Sequence, residues 1–471
     1  MDTRSMPRLG DATLGELRAA LAGPVFTPPD EGYDQARHVW NGSIDRRPAL
    51  VVRADGVADV VAAVSFARSE GLPIAVRGGS HSIAGFSTCD DGMVIDLSGM
   101  HAVHVDPATG RAQVQGGATW LQFDREAQLH GLATTGGLVS STGVGGFTLG
   151  GGVGHLVRKH GLALDNLVGV EMVTGSGEVV RADEHTNPGL FWAVRGGGGN
   201  FGVVTTFEFA LHPVGPTVLG GVIFYPGDQA GQVLAGWREA VADAPDELST
   251  MVNLTSAPPL PFLPESVHGT KVAVILGCWA GPQEAGMDVV EPLRRLGDPI
   301  ADLFAPLPYV ALQQLLDPLW ARGAANYFTS AFVDDLPDAG IAVLSAAHQA
   351  AAAPPVTSEL HVHHLGGAFG RVAPDATAFA ERSAPFLVNC IGRTPTAAEL
   401  PPVADWARAT RDAMATHGDG APYTNFTGEG GLAKQAYPPE TYRRLAEVKR
   451  AFDPDNVFRF NHNIEPGVSQ T

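Results

Sequence analysis

The stretch LPIAVRGGSHSIAGFST, Leu72–Thr88, carries an apolar, strand-like run into Arg77-Gly78-Gly79-Ser80-His81. Leu72–Val76 reads as a strand. The paired glycines after it require a sharp turn and let another group approach the backbone closely. Amides of Gly78, Gly79 and Ser80 in such a turn suit a pyrophosphate. His81 then sets a titratable, nucleophilic imidazole at the loop tip, although a histidine in that place also reads as an ordinary surface residue.

Working outward, Ala49–Arg53 reads as a buried strand and Val57–Gly71 as a helix with Val57, Val60, Val61 and Val64 on one face, so the loop closes a βαβ unit. Downstream come strand-like segments at 93–98, 102–106 and 112–117 and a helix over Thr119–His130. A hairpin around Gly175-Ser176-Gly177 and a helix near 188–195 lead to GGGGNFG and the strand VVTTFEFAL. The pattern is α+β rather than doubly wound. At His212–Pro216 the glycine clusters give way to Ala/Leu/Pro-rich helical stretches with isolated strands, and near His417–Gly420 the texture shifts again. Three parts follow, 1–214, 215–418 and 419–471, the last expected to return to the first.

The formal charge of −19 and the lack of any Lys/Arg run longer than a pair argue against nucleic acid and anionic membranes as partners. Cys89, Cys278 and Cys390 lie far apart, without metal spacing or a disulfide framework, so no metal is expected. The amphipathic start lacks the apolar core of a signal peptide, and no stretch matches a membrane span, which reads as a soluble cytoplasmic protein.

Glycine makes up 58 of the 471 residues, well above the usual ~7%. Nine of the nineteen residues 136–154 are glycine, with Leu, Val and Phe interleaved, which distinguishes the segment from a flexible linker. Gly197–Gly202 matches GxGxxG, but it follows a helix and opens a strand, the reverse of the dinucleotide fingerprint, which argues against an NAD enzyme.

The ordered motifs RGGSH, GVGGFTLGGGVG, LDNLVGVEMVT, LFWAVRGGGGNFGVVTTFEF, PYTNF and FDPDNVFRFNHNI resemble the FAD-linked oxidases of the vanillyl-alcohol oxidase and berberine-bridge-enzyme group, and the resemblance spans the whole chain. It implies a two-subdomain PCMH-type FAD-binding domain and an α/β substrate domain whose antiparallel sheet covers the flavin. It implies that Arg77, Gly78, Gly79, Ser80 and His81 form the anchoring loop, with His81 bonded to the flavin. Gly136, Val139, Thr142, Gly143, Gly145, Gly146, Gly152, Gly154 and Val204 are implied to line FAD, joined by Tyr423, Asn425 and Asn461 from the C-terminal segment. Many relatives attach the flavin a second time through a cysteine in this loop. The matching position here is Val139, so a single attachment is implied.

Glu359-Leu360-His361-Val362-His363 alternates, with Glu359, His361 and His363 on one face. That face reads as a base and substrate contact, as a plain polar face, or as a weak metal site. In the resemblance the sheet covers the flavin, which makes His361 and His363 candidate bases, with Tyr423 a second candidate and Tyr327 a weaker one. Within the group the similarity runs to bacterial enterocin-type flavin oxygenases, through NGSIDRRPALVVR, TGVGGFTLGGG and LHVHHLGGAFGRV. This implies oxidation of a polyketide through a flavin-N5-oxide, with Val139 and Thr142 near the oxygen pocket and Thr142 taking part in catalysis. His361 stands where those relatives have an active-site glutamate, so the same substrate does not carry over.

The expectation is therefore a covalent FAD-dependent oxidase or oxygenase, monomeric or homodimeric, acting on a small hydroxylated or phenolic metabolite, such as a polyketide or other natural-product intermediate, with dioxygen as acceptor. The alternative is a catalytically idle flavin- or metabolite-binding protein on the same scaffold.

Overall fold

The computed structural model describes residues 9–467. Its first sheet holds β1 (Val25–Phe26), β2 (Leu50–Arg53), β3 (Ile74–Arg77) and β4 (Met93–Asp96) in the order β1-β2-β4-β3. The helix Val57–Ser69 links β2 to β3, but these strands are not neighbours. β4 runs parallel between them. Every residue of MVID in β4 is buried, so this strand, apolar up to Asp96, takes an inner position where both faces are covered.

The second sheet contains β5 (Val103–Asp106) and β6 (Arg111–Gln115); the short β7 (Leu132–Ala133) lies outside it. β8 (Leu167–Thr174), β9 (Val179–Asp183) and β10 (Gly202–Ala210) complete it in the order β5-β6-β10-β8-β9. β8 and β9 form a hairpin that turns at Gly177, whose φ of +87° favours glycine. β7 pairs with β11 (His212–Pro213) at the junction to the rest of the chain.

The third sheet has eight strands, all antiparallel: β12 (Thr217–Pro226), β13 (Leu248–Ser256), β14 (Lys271–Trp279), β15 (Ala301–Asp302), β16 (Ala305–Pro308), β17 (Ala325–Val333), β18 (Thr357–His364) and β19 (Phe386–Thr394). The helices Ala230–Val241, Asp338–Ala350 and Leu400–Ala415 send Trp237, Leu344 and Ala407 into one core with Leu360 and Val362 of β18. Two-residue alternation then turns Glu359, His361 and His363 to the opposite face.

The last long helix, Pro439–Phe452, places Leu445 and Ala446 in the core that holds Phe191, Trp192 and Phe201. Its Lys449 is fully buried and donates to Asp453 Oδ2 at 2.6 Å, to Asn200 O at 2.7 Å and to Phe458 O at 2.9 Å. One ammonium thus ties the helix, the glycine loop at 197–200 and the C-terminal segment together. No described helix is long and apolar enough to cross a membrane.

Candidate active site and cofactor cavity

A cavity of about 350 Å³ runs between the first two sheets, the uncovered face of the third and the C-terminal segment. The RGGSH loop forms one wall. Ser80 has a φ of +61°, a left-handed conformation that is costly for serine, and its Oγ accepts from Arg322 Nη2. Asn41, from NGSI, holds the loop to the third sheet: Nδ2 donates to Ile83 O at 2.8 Å and to Asn326 O at 2.9 Å.

His81 lines the cavity. Its ring stacks on Trp40 with centroids 4.8 Å apart, and its Nε2 lies 3.0 Å from Ser141 Oγ. Burial, aided by the Arg322 charge, pushes its pKa down to about 3, so the imidazole is neutral. Nδ1 has no protein partner among the described residues.

Gly78, Gly79, Ser80, Val139, Thr142, Gly143, Gly145, Gly146, Val204, Asn425 and Asn461 also line the cavity. Arg77, Gly136, Gly152, Gly154 and Tyr423 do not. Arg77 is buried behind the loop, donating to the carbonyls of Ser87, Ala36 and Arg37. A Cβ on Gly136 would meet Gln313 Nε2 at 2.7 Å, one on Gly152 would meet Ala163 Cβ at 2.4 Å, and one on Gly154 would meet Gly136 O at 1.8 Å. These glycines serve chain crossing instead. Tyr423 is buried, and its hydroxyl accepts from Gly152 N at 2.7 Å and Asn425 Nδ2 at 3.0 Å. Burial pushes its pKa up to about 12, so it braces the glycine loop as a neutral phenol. Tyr327 also lies off the cavity and donates to Glu429 Oε1.

The polar face of β18 supplies His361 and His363 to the cavity. His361 Nε2 lies 2.8 Å from Glu359 Oε2, which also accepts from Asn253 Nδ2 at 3.1 Å. Burial opposes ionisation of Glu359, yet the hydrogen bonds it accepts, from His361 first and from Asn253, hold the carboxyl below its ordinary value. Asn253, His361 and Asn389 stand in register across β13, β18 and β19, so they share a face. Trp320 approaches His361 edge-on, and Trp40 Nε1 donates to Trp320 O at 3.0 Å.

Several cavity residues carry no mark in the sequence that singles them out: Trp40, Trp320, Asn389, Phe426 and His462. For Glu359 the signal was present in its two-residue spacing from His361. The glycines of 196–202, whose clustering points to a ligand although their order is wrong for NAD, line the cavity as well.

The cavity suits FAD on three counts. The backbone N–H groups of Gly79, Ser80 and His81 find no protein acceptor among the described residues, leaving donors for a polyanion. A Cβ on Gly146, Gly198 or Gly199 would meet nothing within 4 Å, so these walls are open to a large flat group. Asn389 Oδ1, Asn461 Oδ1 and His462 Nδ1 are buried without partners, ready for a polar ring edge. None of the three cysteines lines the cavity, and all are buried.

The site and fold define a flavin-binding oxidoreductase, and the comparisons agree. Residues 48–183 match the FAD binding domain family and residues 423–465 the berberine and berberine like family. An FAD-linked oxidoreductase of Dictyostelium discoideum is 32% identical over 458 residues, covering 96% of this chain and 97% of the relative. The (R)-6-hydroxynicotine oxidase of Paenarthrobacter nicotinovorans is 33% identical, covering 95% and 97%. The crystal structure of 6-hydroxy-D-nicotine oxidase from Arthrobacter nicotinovorans matches with a TM-score of 0.85 at 29% identity, over 95% of this chain and 98% of that one. The chain belongs to the berberine-like FAD-linked oxidoreductases; it is an FAD-dependent oxidase of that family, and FAD is its cofactor.

Proposed function

We propose that this enzyme carries FAD tethered once, through His81, and oxidises a small hydroxylated aromatic metabolite with dioxygen as electron acceptor. The observation that carries the reading is the Glu359–His361 pair in the cavity wall. An ionised carboxylate only accepts, so His361 donates through Nε2–H and keeps its lone pair on Nδ1. A base of this kind takes the proton of a substrate hydroxyl. Bound flavin supplies a two-electron acceptor that returns its electrons to dioxygen.

Trp40, Trp320, Phe328 and Phe426 give the cavity flat apolar surfaces suited to an aromatic ring. One relative is named for 6-hydroxynicotine, a hydroxylated heteroaromatic. A neutral His81 with Ser141 on Nε2 leaves Nδ1 as the nucleophile for the tether. The lack of a cysteine in the cavity supports a single bond.

The test is anaerobic mixing of the purified yellow protein with a panel of phenols and hydroxypyridines, followed by air. Bleaching by a member of the panel, with one hydrogen peroxide released per turnover, supports the oxidase reading. Tight binding without bleaching by any compound leaves an idle binding protein, and label from ¹⁸O₂ in the product makes it an oxygenase.

A further inference from the structure

The serine before His81 is held in a conformation that it does not favour by itself. Four non-glycine residues of the described chain have a positive φ, and three of them, Asp91, Asn187 and Asn456, are of the types that tolerate it. Ser80, at φ +61°, is the fourth, so its surroundings must fix it there. The backbone at residue 80 in turn decides where the imidazole of residue 81 points.

The support comes from the turn that leads into β17. Arg322 Nη2 donates to Ser80 Oγ, the one hydrogen bond its guanidinium makes among the described residues. Trp40 N donates to Ser80 O at 3.2 Å, and the Trp40 ring stacks on His81. Trp40 O accepts from Gly323 N at 3.1 Å, and Gly42 N donates to Ala324 O at 2.8 Å. A Cβ on Gly42 would meet Gly323 O at 2.0 Å, so the two segments run in backbone contact. From β19, Arg393 donates to Leu319 O and, at 2.9 Å, to Ala321 O. The backbone on both sides of Arg322 is therefore pinned, and its side chain reaches the loop from a fixed base.

We infer that Arg322 is a positioning residue for flavin attachment: through Ser80 it holds the RGGSH loop in the conformation that presents His81 Nδ1 to the 8α-methyl group of FAD. The inference rests on the tether proposed above. Attachment forms one N–C bond in place of a C–H bond of the methyl group and the imidazole N–H. The two electrons and two protons released leave through the flavin to dioxygen, as one hydrogen peroxide. Arg322 takes no part in these bonds and acts on geometry alone, to which an attacking lone pair is sensitive, since a misplacement of ~1 Å can cost about 10²-fold in rate. The sheet that carries His361 thereby also sets the anchoring histidine.

The test follows tether formation in the full-length apoprotein, prepared from riboflavin-starved cells and mixed with FAD in air at about pH 8, where an imidazole is neutral with or without a nearby cation. Aliquots are precipitated with acid, and flavin in the pellet is measured against time. Arg322→Ala is expected to attach flavin at least about tenfold more slowly than wild type, while circular dichroism and fluorescence titration show a folded chain that binds FAD non-covalently. Ser80→Ala keeps the Cβ penalty and loses the acceptor, so it should be slowed alike. Ser80→Gly enters the left-handed region freely. Adding Arg322→Ala to Ser80→Gly should then change the rate by no more than about twofold. A wild-type rate in Arg322→Ala overturns the inference and leaves the tether standing. A loss in the double variant as large as in Arg322→Ala overturns it too, because the arginine then acts elsewhere than on residue 80, and so does loss of non-covalent FAD binding in Arg322→Ala. If wild type itself leaves no flavin in the pellet, the tether and this inference fall together.

Discussion

Glu359 Oε2 and His361 Nε2 meet at 2.8 Å within the wall of the cavity, each side chain about one-tenth exposed. The carboxylate itself does not line the cavity, so it acts through the imidazole by fixing its tautomer. His361→Gln is expected to lower kcat by about 10²–10⁴-fold while the bound-flavin spectrum is kept, the range typical of a lost general base. Glu359→Gln keeps an acceptor but removes the charge, and should give a smaller loss together with a shifted pH profile of kcat. A wild-type kcat in His361→Gln would remove the imidazole from the chemistry.

The tether is checked by acid precipitation. Flavin should stay with the wild-type pellet and the intact mass should exceed that of the bare chain by one FAD. In His81→Ala the flavin should move to the supernatant, because the open glycine walls and the free loop amides remain. Yellow supernatant from the wild type sinks the tether.

Stability should fall on the acid side. Burial, the largest cause in each case, lowers the pKa of His363 and His364 to about 3, against about 6.5 in an unfolded chain. The unfolded state binds the extra protons between those values, so the contribution is complete above pH 6.5 and is lost as pH drops from there toward 3. The urea midpoint is expected to be lower at pH 5.0 than at pH 7.5. Equal midpoints contradict the burial of these rings.

Two glycines in one cavity should respond in opposite ways to the same methyl group. A Cβ at Gly79 would lie 2.2 Å from Gly143 N, so Gly79→Ala pushes two crossing loops apart and should yield little folded protein. A Cβ at Gly146 would meet nothing within 4 Å. Gly146→Ala should fold at least as well as wild type before flavin is added, with a gain of up to ~1 kcal/mol from helix propensity, yet bind flavin more weakly. Circular dichroism and flavin titration separate the two.

Lys449→Met should cost about 3–5 kcal/mol, because it strands the buried Asp453 carboxylate and frees Asn200 O and Phe458 O. Chemical denaturation measures the loss, and a change under about 1 kcal/mol would show that the buried pair is nearly neutral.

Periodicity made part of this site legible. Two-residue alternation places Glu359, His361 and His363 on one face, and the apolar run into Arg77-Gly78-Gly79 marks the loop that bears His81. The position of β4 between β2 and β3 was not legible, because strand order is a tertiary choice that local spacing does not encode. Nor does a glycine state what it avoids. Gly146 faces open space and Gly152 faces Ala163, yet both read alike in the chain. Tyr423 is a candidate base only through the resemblance of its PYTNF motif, and the short turn at Thr424–Phe426 sends its ring away from the cavity, into Phe332 and Phe379. Trp40 and Trp320 are brought together across 280 residues, a distance over which no motif reaches.

The walls of the large cavity come from positions as far apart as Trp40 and His462. A ribosome must therefore deliver residue 462 before the binding chamber exists in full. A translation product halted before that point would hold the RGGSH loop through Trp40, Ser141 and Arg322 yet lack the part of the wall that Asn461 and His462 supply.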